Sequence, residues 1–241
     1  MIRGLYTAAT GMVAEQARQD TAANNLANVN TVGFKRDNLT EISFQEQLIR
    51  AYSKGGNTPI GGLGMGVDLN GTYTDYSLGN LIQTDNPTDL AITGDGLLAF
   101  ERNGQVRYTR AGNLTLNQEQ VLVTQNGDPV LGENGPIRLA GSFTVAPDGA
   151  IIQNGQVVDR LRLAATAGMV KQGDSYVNGN GAQETPAENV RIVQGALEGS
   201  NVNSVREMIT MINVTRSYDA NQRAIVAQDE TLGKAVNELA K

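Results

Sequence analysis

Apolar residues recur at helical spacing at the two ends of the chain and give way to short β-like runs between them. At the start, Ile2, Leu5, Ala9, Met12, Gln16, Gln19, Ala23 and Leu26 step by three and four, and six of the eight are apolar. This heptad-like stripe predicts a helix that ends by about Asn30. Proline is absent from Ile2 to Asn30, and Asn28, Asn30, Thr31 and Gly33 stop the pattern. At the end, Met208, Met211, Thr215, Tyr218, Gln222, Ile225, Asp229, Leu232, Val236 and Leu239 follow the same spacing, seven of the ten apolar or aromatic. A second stripe, Val202, Val205, Ile209 and Ile212, makes the first turns apolar on two sides, as expected of a helix that touches more than one neighbour. Asn203 or Ser204 is the expected N-cap, with Glu207 three residues after Ser204 as in a capping box. At about 1.5 Å per residue such a helix reaches roughly 50–55 Å. Isolated helices of this kind are marginal in water, so each end needs a partner, in the first instance the other end.

The middle reads as β. Runs of Val, Ile, Leu, Thr and Tyr alternate with turn signals, and Asn-Gly occurs seven times, at 70–71, 103–104, 126–127, 134–135, 154–155, 178–179 and 180–181. Asn-Gly suits a type I′ turn because both central residues take positive φ. Two clean hairpins are expected: Leu97–Glu101 with Val106–Tyr108 around Asn103-Gly104, and Ile151–Gln153 with Val157–Val158 around Asn154-Gly155. Pro147-Asp148-Gly149 marks a further turn. Segment 53–66 reads as a loop or extended arm, and 172–188 as a mobile loop. The fold class is therefore α+β: N- and C-terminal helices pairing as a coiled-coil layer, a mainly antiparallel β central domain, and an extended arm. The expected divisions are 1–34, 35–84, 85–200 and 201–241, the last packing with the first.

Charge sharpens this division. The net charge of −6 falls entirely on residues 35–200, while both terminal segments are neutral. Neutral amphipathic ends suit packing on protein and not a nucleic-acid arm, which would be basic. No run of about 18 apolar residues is present, so membrane insertion is not expected. The start, Met1 to Tyr6, has no apolar core of a secretory signal, so the expectation is a cytoplasmic chain or one exported without a cleaved signal.

The 241 residues contain no Cys and no His. Disulfides, thiol nucleophiles, imidazole bases and ordinary zinc sites are excluded at once. Gly62-Leu63-Gly64-Met65-Gly66 lacks the Lys-Ser/Thr of a phosphate loop, and Gly94-Asp95-Gly96 precedes a strand, not a helix. Asp85, Asp89 and Asp95 match no calcium loop and read as a surface acidic patch. Arg107, Arg110, Arg160 and Arg162 read as solvated or cross-strand ion-pairing residues. Glu101, Glu119, Glu133 and Asp148 leave a carboxylate glycosidase open, but nothing selects a pair. No catalytic, cofactor or metal residue is assigned.

Asn24, Asn25, Asn28 and Asn30 stand apart. A helix end needs one or two Asn; four, followed by Thr31, Gly33 and Phe34, suggest a specific polar junction where subunits meet. The stretch from Ala23 to Lys35 resembles the N-terminal signature of bacterial flagellar rod and hook proteins. Gln194–Asn203 resembles the family's motif before its C-terminal helix, and Arg216-Ser217-Tyr218-Asp219-Ala220-Asn221 its Arg-x-Tyr-acidic segment. Asp89–Gly96 and Tyr108-Thr109-Arg110-Ala111-Gly112 resemble its β-domain motifs. Two places depart from the family pattern: Leu97-Leu98 stands for a Phe pair, and Asn117-Gln118-Glu119-Gln120 for an Asp-x-x-Gly turn.

The resemblance implies a non-enzymatic structural subunit of the basal-body rod, without cofactors, that polymerises helically into the drive shaft transmitting torque from motor to hook. It implies export by the flagellar type III apparatus, residence within the cell envelope, and terminal helices that order on assembly. Partners would be further copies, other rod proteins and the export apparatus, with a surrounding ring or the peptidoglycan left open. Modest length, the segment ending Pro129–Ile137 and Leu197–Asn201 favour the proximal-rod type; the Ile2-Arg3 start and Gly-rich arm are shared with the distal-rod type. A phage-tail-like fibre module is the further alternative. The implied assembly interface comprises Leu5, Met12, Asn24, Asn25, Leu26, Asn28, Asn30, Phe34, Asn201, Val202, Asn203, Met208, Ile212, Tyr218, Ile225 and Leu232. Leu5, Met12, Leu26, Met208, Ile212, Ile225 and Leu232 would carry its apolar seam.

Overall fold

The computed structural model describes residues 2–43, 47–53, 56–64, 66–179 and 190–239. It is α+β, with a helix at each end and antiparallel strands between. The chain forms two compact units, one of residues 1–27, 37–73 and 203–241, the other of 28–36 and 74–202.

The first unit holds both helices, α1 (Ile2–Ala27) and α2 (Ser204–Leu239), and four strands. Strands β1 (Asp37–Ser43) and β4 (Val67–Thr74) pair with each other, and β2 (Gln47–Ser53) pairs antiparallel with β3 (Gly56–Leu63). Part of the segment expected as loop or arm, Gly56–Leu63, is thus a paired strand. Asn70-Gly71, a turn signal in sequence, lies inside β4 with Gly71 at φ 113°. The helices pack against each other: Gly4 faces the Gln228 amide and Gly11 the Asn221 amide. Seven residues forward on α1 correspond to seven residues back on α2, so the pair is antiparallel.

The seam between the helices differs from the expected stripe. Beyond Ser204 and Thr210 in its first turns, the less exposed positions of α2 are Glu207, Met211, Val214, Tyr218, Asn221, Ile225, Gln228, Leu232 and Ala235. Met211, Tyr218, Ile225 and Leu232 are shared with the stripe read from sequence. Met208, Thr215, Gln222, Asp229 and Val236 are exposed instead, one position away from the side chains that face inward. On α1 the buried side chains are Ala8, Ala14, Ala22 and Asn25. The distance between packed helices is set by the side chains at the contact, so small residues define the line of closest approach. Here that line follows Gly and Ala, not the largest apolar residues. Side chains of Ile2 and Leu239, both in the expected stripes, lie outside the described residues.

The second unit is the β body. Its first strands are β5 (Leu81–Gln83), β6 (Leu90–Thr93), β7 (Gly96–Arg102) and β8 (Gln105–Thr109). Short strands β9 (Thr115–Leu116), β10 (Leu122–Val123), β11 (Leu131–Gly132), β12 (Gly135–Pro136) and β13 (Thr144–Val145) follow. The rest are β14 (Ala150–Gln153), β15 (Gln156–Arg160), β16 (Leu163–Ala165), β17 (Met169–Gln172), β18 (Ser175–Asn178), β19 (Arg191–Gln194) and β20 (Ala196–Glu198). The largest sheet runs β16-β7-β8-β18-β17, with β13-β14-β15, β6-β19 and β5-β20 beside it.

Both clean hairpins form as expected. Arg102 pairs with Gln105 across Asn103-Gly104 (φ 54° and 74°), and Gln153 with Gln156 across Asn154-Gly155 (φ 54° and 78°). Segment 172–179 is not a loop: Gln172 pairs with Ser175 in the tight β17–β18 hairpin, and residues 180–189 lie outside the described residues. In the departing turn Asn117–Gln120, the Asn117 carboxamide accepts from Glu119 N and Val121 N while Gln120 takes φ 60°. A glutamine thus holds the left-handed position where the family pattern has glycine.

Strand β7 is buried on both faces. Leu98 packs with Leu90, Ile92, Ile137, Leu139 and Ile151 in one cluster; Leu97 and Ala99 pack with Tyr108, Leu131, Ala164 and Tyr176 in the other. The period-2 alternation of a strand sends neighbouring residues to opposite sides.

Candidate functional site: a buried junction and an exposed helical face

The junction lies within the β body, where the segment following α1 meets the segment preceding α2. Gly33 starts it. Its φ is +68°, and a Cβ there would lie 2.5 Å from the backbone of Arg110 and Ala111. Only glycine allows that approach at that conformation. Gly33 N donates to Glu198 O at 2.7 Å, laying 28–36 beside β20.

Two residues later, the Lys35 ammonium donates to Glu198 Oε1 at 2.7 Å, to Ser77 O at 2.7 Å and to Tyr76 O at 3.3 Å. Glu198 Oε1 also accepts from Gly79 N at 2.8 Å, and Glu198 Oε2 accepts from Arg110 Nε. The rest of the Arg110 guanidinium donates to the carbonyls of Ile92, Gly94 and Gly96. The side chains of Lys35, Arg110 and Glu198 are each 1% exposed. One carboxylate therefore serves two buried cations, and five carbonyl dipoles supply the remaining negative potential. Burial lowers the Lys35 pKa from its ordinary value, opposed by the hydrogen bond and charge of Glu198.

Asn201 completes the junction. Its Oδ1 accepts from Arg36 N at 2.8 Å, and its Nδ2 donates to Asp75 O at 2.9 Å and to Ser77. Lys171 Nζ donates to Lys35 O at 3.0 Å and sits 3.9 Å from the Phe34 ring centroid.

This arrangement decides one reading from sequence and corrects another. Of the two readings left open for Arg110, ion pairing holds, and it holds in the interior. Asp89 is buried, its carboxylate held by Thr84 and Asn86, and does not belong to a surface acidic patch; Asp85 and Asp95 are exposed. Lys35, Arg110 and Glu198 were not selected as site residues, although each lies in a segment that carries the family resemblance. Their signal in sequence is a charge beside glycine and apolar residues, as in Gly33-Phe34-Lys35 and Leu197-Glu198-Gly199.

The expected interface residues divide by location. Asn25 is buried, donating to Asp37 O at 2.8 Å and accepting from Asp37 N at 3.0 Å, so both ends of its amide are engaged within the chain. Asn28 Oδ1 accepts from Thr31 Oγ1; Asn24 and Asn30 are exposed. Leu5, Met12 and Leu26 are half-buried on α1, as are Tyr218, Ile225 and Leu232 on the inward side of α2. Phe34 and Asn201 belong to the junction, and Val202 beside them is buried. Asn203 is the N-cap: its Oδ1 accepts from Arg206 N at 3.0 Å. Glu207 therefore stands one residue past the capping-box position, and it is buried. Met208 and Ile212 are 51% and 53% exposed and share an apolar stripe with Val205 and Ile209, also exposed. Among the described residues no helix is long and apolar enough to cross a membrane.

A chain whose buried polar groups fasten backbone segments together, and whose C-terminal helix carries unburied Val, Met and Ile, has the make-up of a structural subunit. Comparison with known proteins gives the same class. Residues 5–35 match the family described as flagella basal body rod protein, 91–158 the flagellar hook protein FlgE/F/G D1 domain, and 193–238 the flagellar basal body rod FlgEFG protein C-terminal. The chain is 36% identical to the flagellar basal-body rod protein FlgF of Rhizobium meliloti over 99% of this chain and 98% of that protein. It is 34% identical to FlgF of Caulobacter vibrioides (100% and 99% covered) and 32% identical to the rod protein FlgG of Agrobacterium fabrum (95% and 96%). The chain belongs to the flagellar basal-body rod protein family and is a structural rod subunit.

Proposed function

We propose that this chain is the proximal-rod subunit of the flagellum, polymerising helically into the part of the drive shaft that precedes the distal rod. The observation that favours the choice is its likeness to FlgF of Rhizobium meliloti, 36% over 250 residues, against 34% over 262 for FlgG of Bacillus subtilis and 32% over 259 for FlgG of Agrobacterium fabrum. It would leave the cell through the flagellar type III apparatus and reside in the basal body within the envelope. Neighbouring copies and other rod proteins would cover the exposed stripe Val205, Met208, Ile209 and Ile212 and complete a coiled-coil inner layer. Residues 35–84 would act as the arm between helices and body. Burial of that stripe, at roughly 25 cal/mol per Å², would offset the ordering entropy of the helices.

Cryo-electron microscopy of isolated basal bodies with a copy count for this chain tests the proposal. About one helical turn between inner and distal rod supports it. Many turns forming the outer shaft would make the chain a distal-rod subunit, and absence from the axial density overturns both.

A further inference from the structure

We infer that two glycine–amide pairs, Gly4 with Gln228 and Gly11 with Asn221, set the register of the intrachain helix pair. Gly4 and Gly11 are the only glycines in α1. Glycine is the poorest helix former apart from proline, so a glycine inside a helix calls for a packing reason. Each sits against a carboxamide of α2: a Cβ on Gly4 would lie 2.4 Å from Gln228 Nε2, and one on Gly11 3.0 Å from Asn221 Nδ2. The two glycines are seven residues apart, as are the two amides, so both pairs form together in the observed alignment. A slip of one heptad in either direction breaks both and leaves only one glycine facing an amide. It would set Gly4 against Asn221 but Gly11 against Val214, or Gly11 against Gln228 but Asn221 against Arg18.

The Gln228 amide is not there for stability. Gln228 Oε1 is buried and has no hydrogen-bond partner among the described residues. A polar residue at a helix seam weakens packing while fixing alignment, its best-attested use. On α1, Ala8 and Ala22 present nothing that a neighbouring heptad could not accept, so they do not fix the alignment. Gly4, Gly11, Asn221 and Gln228 are thus positioning residues: they hold α1 and α2 in one alignment, and with it the outward stripe that a neighbour would meet.

The test is made on the free full-length chain, so its failure is distinct from failure of the rod reading. The chain has no cysteine, so nitroxide labels can be placed uniquely at the exposed positions Val13→Cys and Val236→Cys, which the register sets apart mainly along the helix axis. Distances are measured by pulsed electron paramagnetic resonance, with trimethylamine N-oxide added to favour the packed helices. The labelled parent should give one distance. Asn221→Ala/Gln228→Ala should add a population displaced by about 10 Å, one heptad at 1.5 Å per residue. Gly4→Ala/Gly11→Ala pushes both amide tips out of their seats and should add the same displaced population. A single unchanged distance in both the Asn221→Ala/Gln228→Ala and the Gly4→Ala/Gly11→Ala chain overturns the inference.

Discussion

Lys35 and Glu198 stand 163 positions apart in the chain and meet at 2.7 Å with both side chains 1% exposed. Arg110 reaches the other carboxylate oxygen, so the cluster holds two cations and one anion. The imbalance makes the three residues unequal. Glu198→Gln leaves two uncompensated buried cations and should cost about 3–5 kcal/mol, the range for breaking a buried pair. Lys35→Met leaves the balanced Arg110–Glu198 pair and should cost less, about 1–3 kcal/mol for the unpaired carbonyls of Tyr76 and Ser77. Urea unfolding of the full chain measures both; equal losses would refute the charge argument.

The same lysine carries a pH signature. Burial lowers its folded-state pKa below the unfolded value of 10.5. Between those two values the unfolded chain binds more protons, so stability rises with pH, and above 10.5 the gain stops. Relative to Lys35→Met, the wild-type chain should therefore gain urea resistance as pH is raised through the alkaline range toward 10.5. A difference that is flat or falls over that window removes Lys35 as its source.

Gly33 and Gly104 have similar φ, +68° and +74°, in different surroundings. At Gly104 a Cβ meets nothing within 4 Å, so Gly104→Ala carries only backbone strain, about 1 kcal/mol. At Gly33 it meets backbone at 2.5 Å, which cannot move as a side-chain tip can. Gly33→Ala should cost about 1–3 kcal/mol more, an overpacking cost added to the same backbone strain. Comparable midpoints for the two variants in thermal or urea melts would show that the junction gives way freely.

Ile212 is 53% exposed within the chain, so Ile212→Asp should change the stability of the free subunit by no more than about 0.5 kcal/mol. If neighbours cover the stripe, the same change should abolish incorporation into basal bodies. Immunoblots of isolated basal bodies, set beside the melting temperature of the purified variant, separate the two effects. Normal incorporation would exclude this face from the assembly contact.

Sequence alone determined what local rules control. Stripes of three and four marked both helices, and Asn103-Gly104 and Asn154-Gly155 marked hairpins whose two central residues take positive φ. Zero Cys and His removed most catalytic chemistry, and the terminal motifs identified the family. Where a pattern admitted two readings, tertiary packing decided. The α2 seam runs through Val214, Asn221 and Gln228 and not Thr215, Gln222 and Asp229, because the close approach follows the glycines of the partner helix. Glycine-rich 56–63 became a strand because β2 lay ready to pair with it. In one dimension Lys35 and Glu198 are only charges within motifs, and Arg110 reads equally as solvated or ion-paired. Only the fold brings one carboxylate to two cations across widely separated segments, and burial then makes each dependent on the others, since a charge withdrawn from water holds its place only through its partners.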